Sequence, residues 1–257
     1  MRRTNKIKSL LESNYNLKTN RYNYFPKTNK ELKELVDMLI SKYGNCVDLN
    51  DVCVSYINDF ESVFYEKKSF NGDVSEWNVS NGLNFHRMFN GCKNFNSDLS
   101  NWDISNSEKI SHMFHDCIVF NSDLSKWNVS NSKNFRDTFN RCKKFNSDLS
   151  KWNVYKSFYF YYMFYECEKF NSDLSMWDVS NGNDFNSMFI FCRNFNSDLS
   201  GWDVSNGRYF SYMFYGTKSF NADLSNWDVS MAQTWLSFAV ESLLEKYPER
   251  IPEKFRI

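Results

Sequence analysis

The sequence predicts an α/β fold, a repeat solenoid with one short parallel strand plus one short helix in each 25-residue repeat and helical caps at both ends. Three observations predict it. A tryptophan returns every 25 residues, at Trp77, Trp102, Trp127, Trp152, Trp177, Trp202 and Trp227, and a fixed period in the range of roughly 20 to 50 residues marks a chain that stacks one supersecondary unit. Within a unit the apolar spacing changes from two, at Trp102 and Ile104, to three and four, at Ile110, Met113, Phe114 and Cys117. Both ends of the chain depart from the repeat, as the caps of an open stack must.

Residues 1–22 carry six basic side chains and one acidic and read as a basic N-terminal arm. Residues 23–69 read as an N-terminal cap helix and a degenerate repeat. Pro26 and the Thr28-x-x-Glu31 capping box open the helix, Leu32, Leu35, Val36, Leu39 and Ile40 form its apolar stripe, and Gly44 ends it. Leu49, Val52, Val54, Phe60, Val63 and Phe64 then fall in register with Val74, Trp77, Val79, Phe85, Met88 and Phe89. Residues 70–230 are the repeats themselves, complete units beginning at Phe70, Phe95, Phe120, Phe145, Phe170 and Phe195 and a last one at Phe220. Over 231–257, Trp235, Phe238, Ala239, Leu243 and Leu244 predict a C-terminal cap helix, stopped by Pro248 and Pro252.

Inside a unit, Leu99, Trp102 and Ile104 suit a short strand with Asn101, Asp103 and Ser105 facing out. Ser105 or Asn106 is a suitable N-cap for the helix that the 110–117 spacing predicts, and Phe120-Asn121-Ser122-Asp123 makes the turn into the next strand. One strand and one helix cannot cover a Trp, two Phe and a Leu, so the copies must bury them between neighbours.

The segment L-x-x-W-x-V-S-N followed by M-F-x-x-C-x-x-F resembles the 25-residue repeat of the BspA-like leucine-rich-repeat surface proteins, also catalogued as a Mycoplasma-type domain of unknown function. The likeness spans roughly residues 45 to 240 and implies a leucine-rich-repeat-like solenoid; such repeats occur in bacterial surface adhesins, in some protists and in giant DNA viruses of amoebae. Gly82, Ser107, Ser132, Gly182 and Gly207 stand where that family more often has Val. Phe85, Phe135, Phe160, Phe185 and Phe210 stand where it often has Met. The abundance of Phe, Tyr, Asn and Lys matches an AT-rich genome, which fits a giant-virus-like member.

Composition narrows the partners. Lys+Arg and Asp+Glu both number 31, so the net charge is zero and nucleic acid is not an expected partner. Membrane insertion is not expected either, since the longest apolar run, 158–165, is far short of the roughly 18 residues a span needs. Met1-Arg2-Arg3 begins like an export signal, but Lys6, Lys8, Glu12 and Asn14 interrupt any apolar core, so an intracellular or virion-associated protein is expected.

The chemistry-bearing columns read as architecture. Cys92, Cys117, Cys142, Cys167 and Cys192 share one repeat position, which Thr217 takes over in the following repeat, as a packing column allows. Asp73, Asp98, Asp123, Asp148, Asp173, Asp198 and Asp223 read as turn caps rather than calcium ligands. His112 and His115 are placed on the solvated side of a helix; with Asp137, one repeat on from His112, as the candidate third ligand, the set makes a poor zinc motif. No catalytic dyad, phosphate loop, cofactor or small-molecule substrate is expected.

Uniformity breaks at 155–165. Register leaves Tyr155, Tyr159, Tyr162 and Tyr165 on the surface, and the columns of the last two continue as Ser187 and Ile190, then Tyr212 and Tyr215. The expected function is a non-enzymatic scaffold that binds a protein partner through Tyr155, Tyr159, Tyr162, Tyr165, Ile190, Tyr212 and Tyr215. A surface adhesin is the alternative that the family resemblance implies, and a metal-binding or hydrolytic protein is a third.

Overall fold

Tight turns, most of them with both end residues pointing inward, build this chain. The computed structural model describes residues 21–256; its coils 1 to 6 begin at Phe70, Phe95, Phe120, Phe145, Phe170 and Phe195, and coil 2, residues 95–119, shows the rule. The N–H of Trp102 donates to the Leu99 carbonyl (3.1 Å), Ser107 to Ile104 (2.8 Å), Met113 to Ile110 (3.1 Å), Cys117 to Phe114 (2.9 Å) and Phe120 to Cys117 (3.1 Å). Each bond closes a four-residue turn, and every residue at a turn end is buried.

The expectation of an α/β solenoid with a strand and a helix per repeat is therefore overturned. Among the described residues there is one α-helix, α1 (Asn29–Tyr43), with three 3-10 helices near the C-terminus and no β-strand. The helix predicted over 110–117 fails because His112 (φ 58°) and Asp116 (φ 60°) are left-handed. The same two columns are left-handed in every complete coil, as Arg87, His112, Asp137, Tyr162, Ser187 and Tyr212, and as Gly91, Asp116, Arg141, Glu166, Phe191 and Gly216. A left-handed residue at every fourth position stops a right-handed helix from propagating.

Alternate N–H groups in this stretch go to the next coil instead. Phe85 donates to Lys109 (2.8 Å), Arg87 to Ser111 (3.2 Å), Phe89 to Met113 (2.9 Å) and Gly91 to His115 (2.8 Å), while Met88, Asn90 and Cys92 turn back on Phe85, Arg87 and Phe89. These coil-to-coil bonds run in one direction only, so they do not form the two-way ladder of a parallel strand. Isolated parallel bridges, such as Asn84 to Lys109 and Tyr159 to Asp184, are all that remains of a sheet. The strand expected at Leu99–Ile104 is likewise a turn.

Side chains complete the stack. The Trp77 and Trp102 rings lie 6.3 Å apart at 3°, and the Trp177 and Trp202 rings 6.5 Å apart at 1°. Each indole N–H reaches back one coil, Trp102 to the Val74 carbonyl (3.0 Å) and Trp127 to Leu99 (2.9 Å). Phe95, Phe120 and Phe145 form a second stack at 6.0 Å spacing. The Cys117 thiol donates to the Phe89 carbonyl (3.1 Å) and Cys142 to Phe114 (2.9 Å); Thr217 makes the same bond to Phe189 (2.8 Å). Burial pushes the Cys92 thiol up to about 12, as fits a structural thiol.

Two polar ladders bind successive coils. The Asn96 side-chain carbonyl accepts from the N–H of Asn121 (2.7 Å), and Asn121 from Asn146 (2.8 Å). The Ser122 hydroxyl accepts from Leu99 N–H (2.8 Å) and Ser147 from Leu124 (2.7 Å). The Asp column caps turns, Asp98 Oδ1 accepting from Ser100 N–H at 2.9 Å.

The ends are closed differently. At the first coil α1 buries Leu32, Leu35, Val36 and Leu39, with Thr28 Oγ1 accepting from Glu31 N–H as the capping box predicts. The basic arm expected over 1–22 lies outside the described residues, except for Arg21, which pairs with Glu76, and Tyr22. At the last coil the expected α-helical cap is replaced by the 3-10 helices Leu244–Lys246, Pro248–Arg250 and Glu253–Phe255. Their residues terminate the ladders. Arg250 donates to Asn221 Oδ1 (2.7 Å), and Lys254 Nζ donates to the carbonyls of Val229, Ser230 and Ala232 at 2.8–3.2 Å. Phe255 packs 5.4 Å from Trp235 and 5.3 Å from Phe210.

Candidate functional site on the variable face

Most columns repeat one residue type, but those around the left-handed positions do not. The column of His112 runs Arg87, His112, Asp137, Tyr162, Ser187, Tyr212, and that of His115 runs Asn90, His115, Asn140, Tyr165, Ile190, Tyr215. A column free to vary on an otherwise fixed scaffold is where recognition is placed.

The tyrosines divide into groups. Tyr161, Tyr162 and Tyr165 form one, with ring separations of 5.8 and 5.5 Å. Tyr212, Tyr215 and Phe191 form another, at 6.0 and 5.5 Å, two coils away. Tyr159 packs beside Phe158 at 6.4 Å. Tyr155 stands apart, on an open depression shared with Lys151, Trp152, Asn153 and Met176.

Tyr155, Tyr159, Tyr162 and Tyr212 are exposed, at 51%, 45%, 37% and 36%, and Phe158, which the spacing did not single out, is 45% exposed. Tyr165 and Tyr215 are half-buried, and the Tyr215 hydroxyl donates to Glu241 Oε1 (2.7 Å). That hydrogen bond, with burial and the Glu241 charge, raises the Tyr215 phenol. Ile190 is only 8% exposed, so it presents little surface.

In coils 2 and 3 the same columns hold a polar cluster. The solvated-helix placement of His112 and His115 is corrected here, since their side chains are only 12% and 27% exposed. The Asp137 carboxylate lies between them, its Oδ2 3.6 Å from His112 Nδ1 and its Oδ1 3.6 Å from His115 Nδ1. Asn140 Nδ2 donates to Asp137 Oδ1 and Arg136 Nε to Oδ2 (2.5 and 3.1 Å). His86 stands behind, its ring 5.3 Å from that of His112 and its Nδ1 2.8 Å from Ser111 Oγ. Burial, set against the Asp137 charge, takes His112 down to about 4. Burial pushes the Asp137 carboxyl up, but His115, His112, Asn140 and Arg136 outweigh it and hold the group below its ordinary value. His112 is therefore a neutral imidazole and Asp137 a carboxylate at neutral pH. The His-x-x-His spacing signalled this cluster, but a helical reading pointed it outward.

The stacked coils and their fixed ladders define a repeat protein. The chain belongs to the family described as Mycoplasma protein of unknown function, DUF285, whose model matches residues 32–152, 108–195 and 138–242 in overlapping copies. This agrees with the likeness to BspA-like repeats. Comparison with curated proteins and with solved structures gave no match. No helix among the described residues is long and apolar enough to cross a membrane.

Proposed function

We propose that this repeat protein is a non-enzymatic binding scaffold whose protein partner docks on the exposed aromatic residues of coils 4 to 6. One observation carries the reading: Tyr159, Tyr162, Tyr212 and Phe158 are exposed, although Phe160, Phe164, Phe185, Phe189, Phe210 and Phe214 in the core of the same coils are completely buried. Tyrosine supplies a large, stiff contact area and a hydroxyl, which is why it is enriched at protein interfaces. The rigid stack holds these rings in place before any partner arrives, which lowers the ordering cost of binding. A balanced net charge favours a protein partner over nucleic acid.

The test is capture from the native source by immobilised full-length protein, wild type against a Tyr159→Ser, Tyr162→Ser, Tyr212→Ser triple variant. Exposed substitutions of this kind change stability by about 0.5 kcal/mol or less each, so the variant stays folded. Loss of a captured protein supports the reading; equal capture by both refutes it. Surface labelling of intact cells or particles then distinguishes an internal or virion-associated scaffold from an adhesin.

A further inference from the structure

We infer that His112, His115 and Asp137 form a binding site for a divalent transition metal, with zinc the ion their chemistry suits best. One ligand atom from each residue lies within 4.8 Å of the other two. The two imidazole-to-carboxylate separations, both 3.6 Å, are too long for hydrogen bonds. Each lies close to the ligand-to-ligand edge of about 3.3 Å that tetrahedral coordination with bonds of about 2.0–2.1 Å requires, but they run to different carboxylate oxygens, so an ion held by both imidazoles would meet Asp137 through one oxygen or both. His115 Nδ1 is buried and has no hydrogen-bond partner, a lone pair or proton left unsatisfied where a metal would use it.

The scaffold sets these ligands before an ion arrives. His112 and Asp137 occupy the same left-handed column one coil apart, with φ of 58° and 54°. Their coils are joined by the His112 N–H to Arg136 carbonyl bond (2.9 Å), the Phe114 to Thr138 bond (3.0 Å) and the Asp116 to Asn140 bond (2.8 Å). An outer hydrogen bond orients one ligand as in known metal sites, Asn140 donating to Asp137 Oδ1, while Asp116 Oδ2 lies beyond hydrogen-bond reach, 3.7 Å from His115 Nε2, the ring nitrogen turned away from Asp137. Arg136 is the cation that competes for Asp137. Its side chain is 45% exposed and its guanidinium also rests 4.5 Å from the Tyr161 ring centre, so it has a second place to lie.

Two nitrogens and one carboxylate oxygen suit zinc better than calcium or magnesium, which take oxygen ligands. Three protein ligands would leave the fourth tetrahedral position for water or an exogenous group. The inference is independent of the tyrosine reading, which concerns coils 4 to 6.

The experiment is calorimetric titration of zinc into the chelator-treated, untagged full chain carrying Cys46→Ser, because Cys46 is the exposed thiol. Cobalt titrated in parallel reports coordination by its visible absorption. One equivalent of zinc is expected to bind, with cobalt bands of tetrahedral intensity and a raised Tm. His115→Ala and Asp137→Asn are each expected to weaken binding at least about tenfold and to cancel the Tm rise. His115 is on the solvent side, so His115→Ala decides the matter even if Asp137→Asn unfolds. Absence of a saturable single site, or unchanged affinity in folded His115→Ala, overturns the inference.

Discussion

Ser197→Ala isolates one rung of a side-chain ladder. Ser197 Oγ accepts from the Leu174 N–H at 2.8 Å and donates to Asp173 Oδ1 at 3.2 Å. Leu174 is 0% exposed, so its N–H has no water to turn to once the hydroxyl is gone. Orphaning a buried donor costs about 1–3 kcal/mol, whereas the lost methylene-sized volume adds little because only an oxygen is removed. Alanine itself fits: Ala222 occupies the same column one coil later. For an ordered chain of this size each kcal/mol is worth about 2–4 °C in Tm. The assay is thermal and urea unfolding of the full chain, paired with amide exchange at Leu174. The expected result is a lower midpoint and faster exchange at that amide. Unchanged midpoint and exchange would refute the claim that serine hydroxyls join the coils.

Other columns give further expectations. Thiol titration of the native protein should label Cys46 alone, and after unfolding all seven cysteines, since the remainder are buried. Cys142→Thr should keep the bond that Thr217 already makes, and Cys142→Ala should lose about 1 kcal/mol, read by urea unfolding. Gly182→Val should destabilise by about 1–3 kcal/mol or more through overpacking, because a Cβ there would lie 2.3 Å from Phe185 Cζ; a higher Tm would contradict it. The carboxyls of Asp123, Asp148 and Asp173 are lowered by backbone and side-chain hydrogen bonds from Ser125, Ser150 and Ser175. Their stabilisation is complete above the unfolded value of about 3.9 and is lost as pH falls through their lower folded values. Replacing all three with Asn, which makes the same turn at Asn128, should flatten the acid limb of stability below about pH 4.

The period and the core were legible because both depend on which residues must leave water. Leu99, Trp102, Ile104, Ile110, Met113, Phe114 and Cys117 are all buried as their spacing predicts. Secondary structure was not legible. A spacing of three is shared by a helix face and by a turn with both ends inward, and the left-handed residues that decide between them are His112, Asp116, Tyr162 and Glu166, none of them glycine. Gly91 and Gly216 in the second left-handed column were the one available signal. The Thr28 capping box was read correctly because its evidence is local. The histidine cluster was misplaced for the same reason as the helix. Register alone placed Tyr155, Tyr159, Tyr162 and Tyr212 on the surface, where they are exposed, but it placed Ile190 there too, and that side chain is buried.

Each complete coil is a chain of turns carrying two left-handed residues, and around those residues alternate backbone N–H groups donate to the next coil. The most direct test is NMR measurement of the backbone dihedrals over residues 110–117. The account predicts positive φ at His112 and Asp116, with right-handed or extended neighbours between them. An uninterrupted run of helical φ across that segment would contradict it.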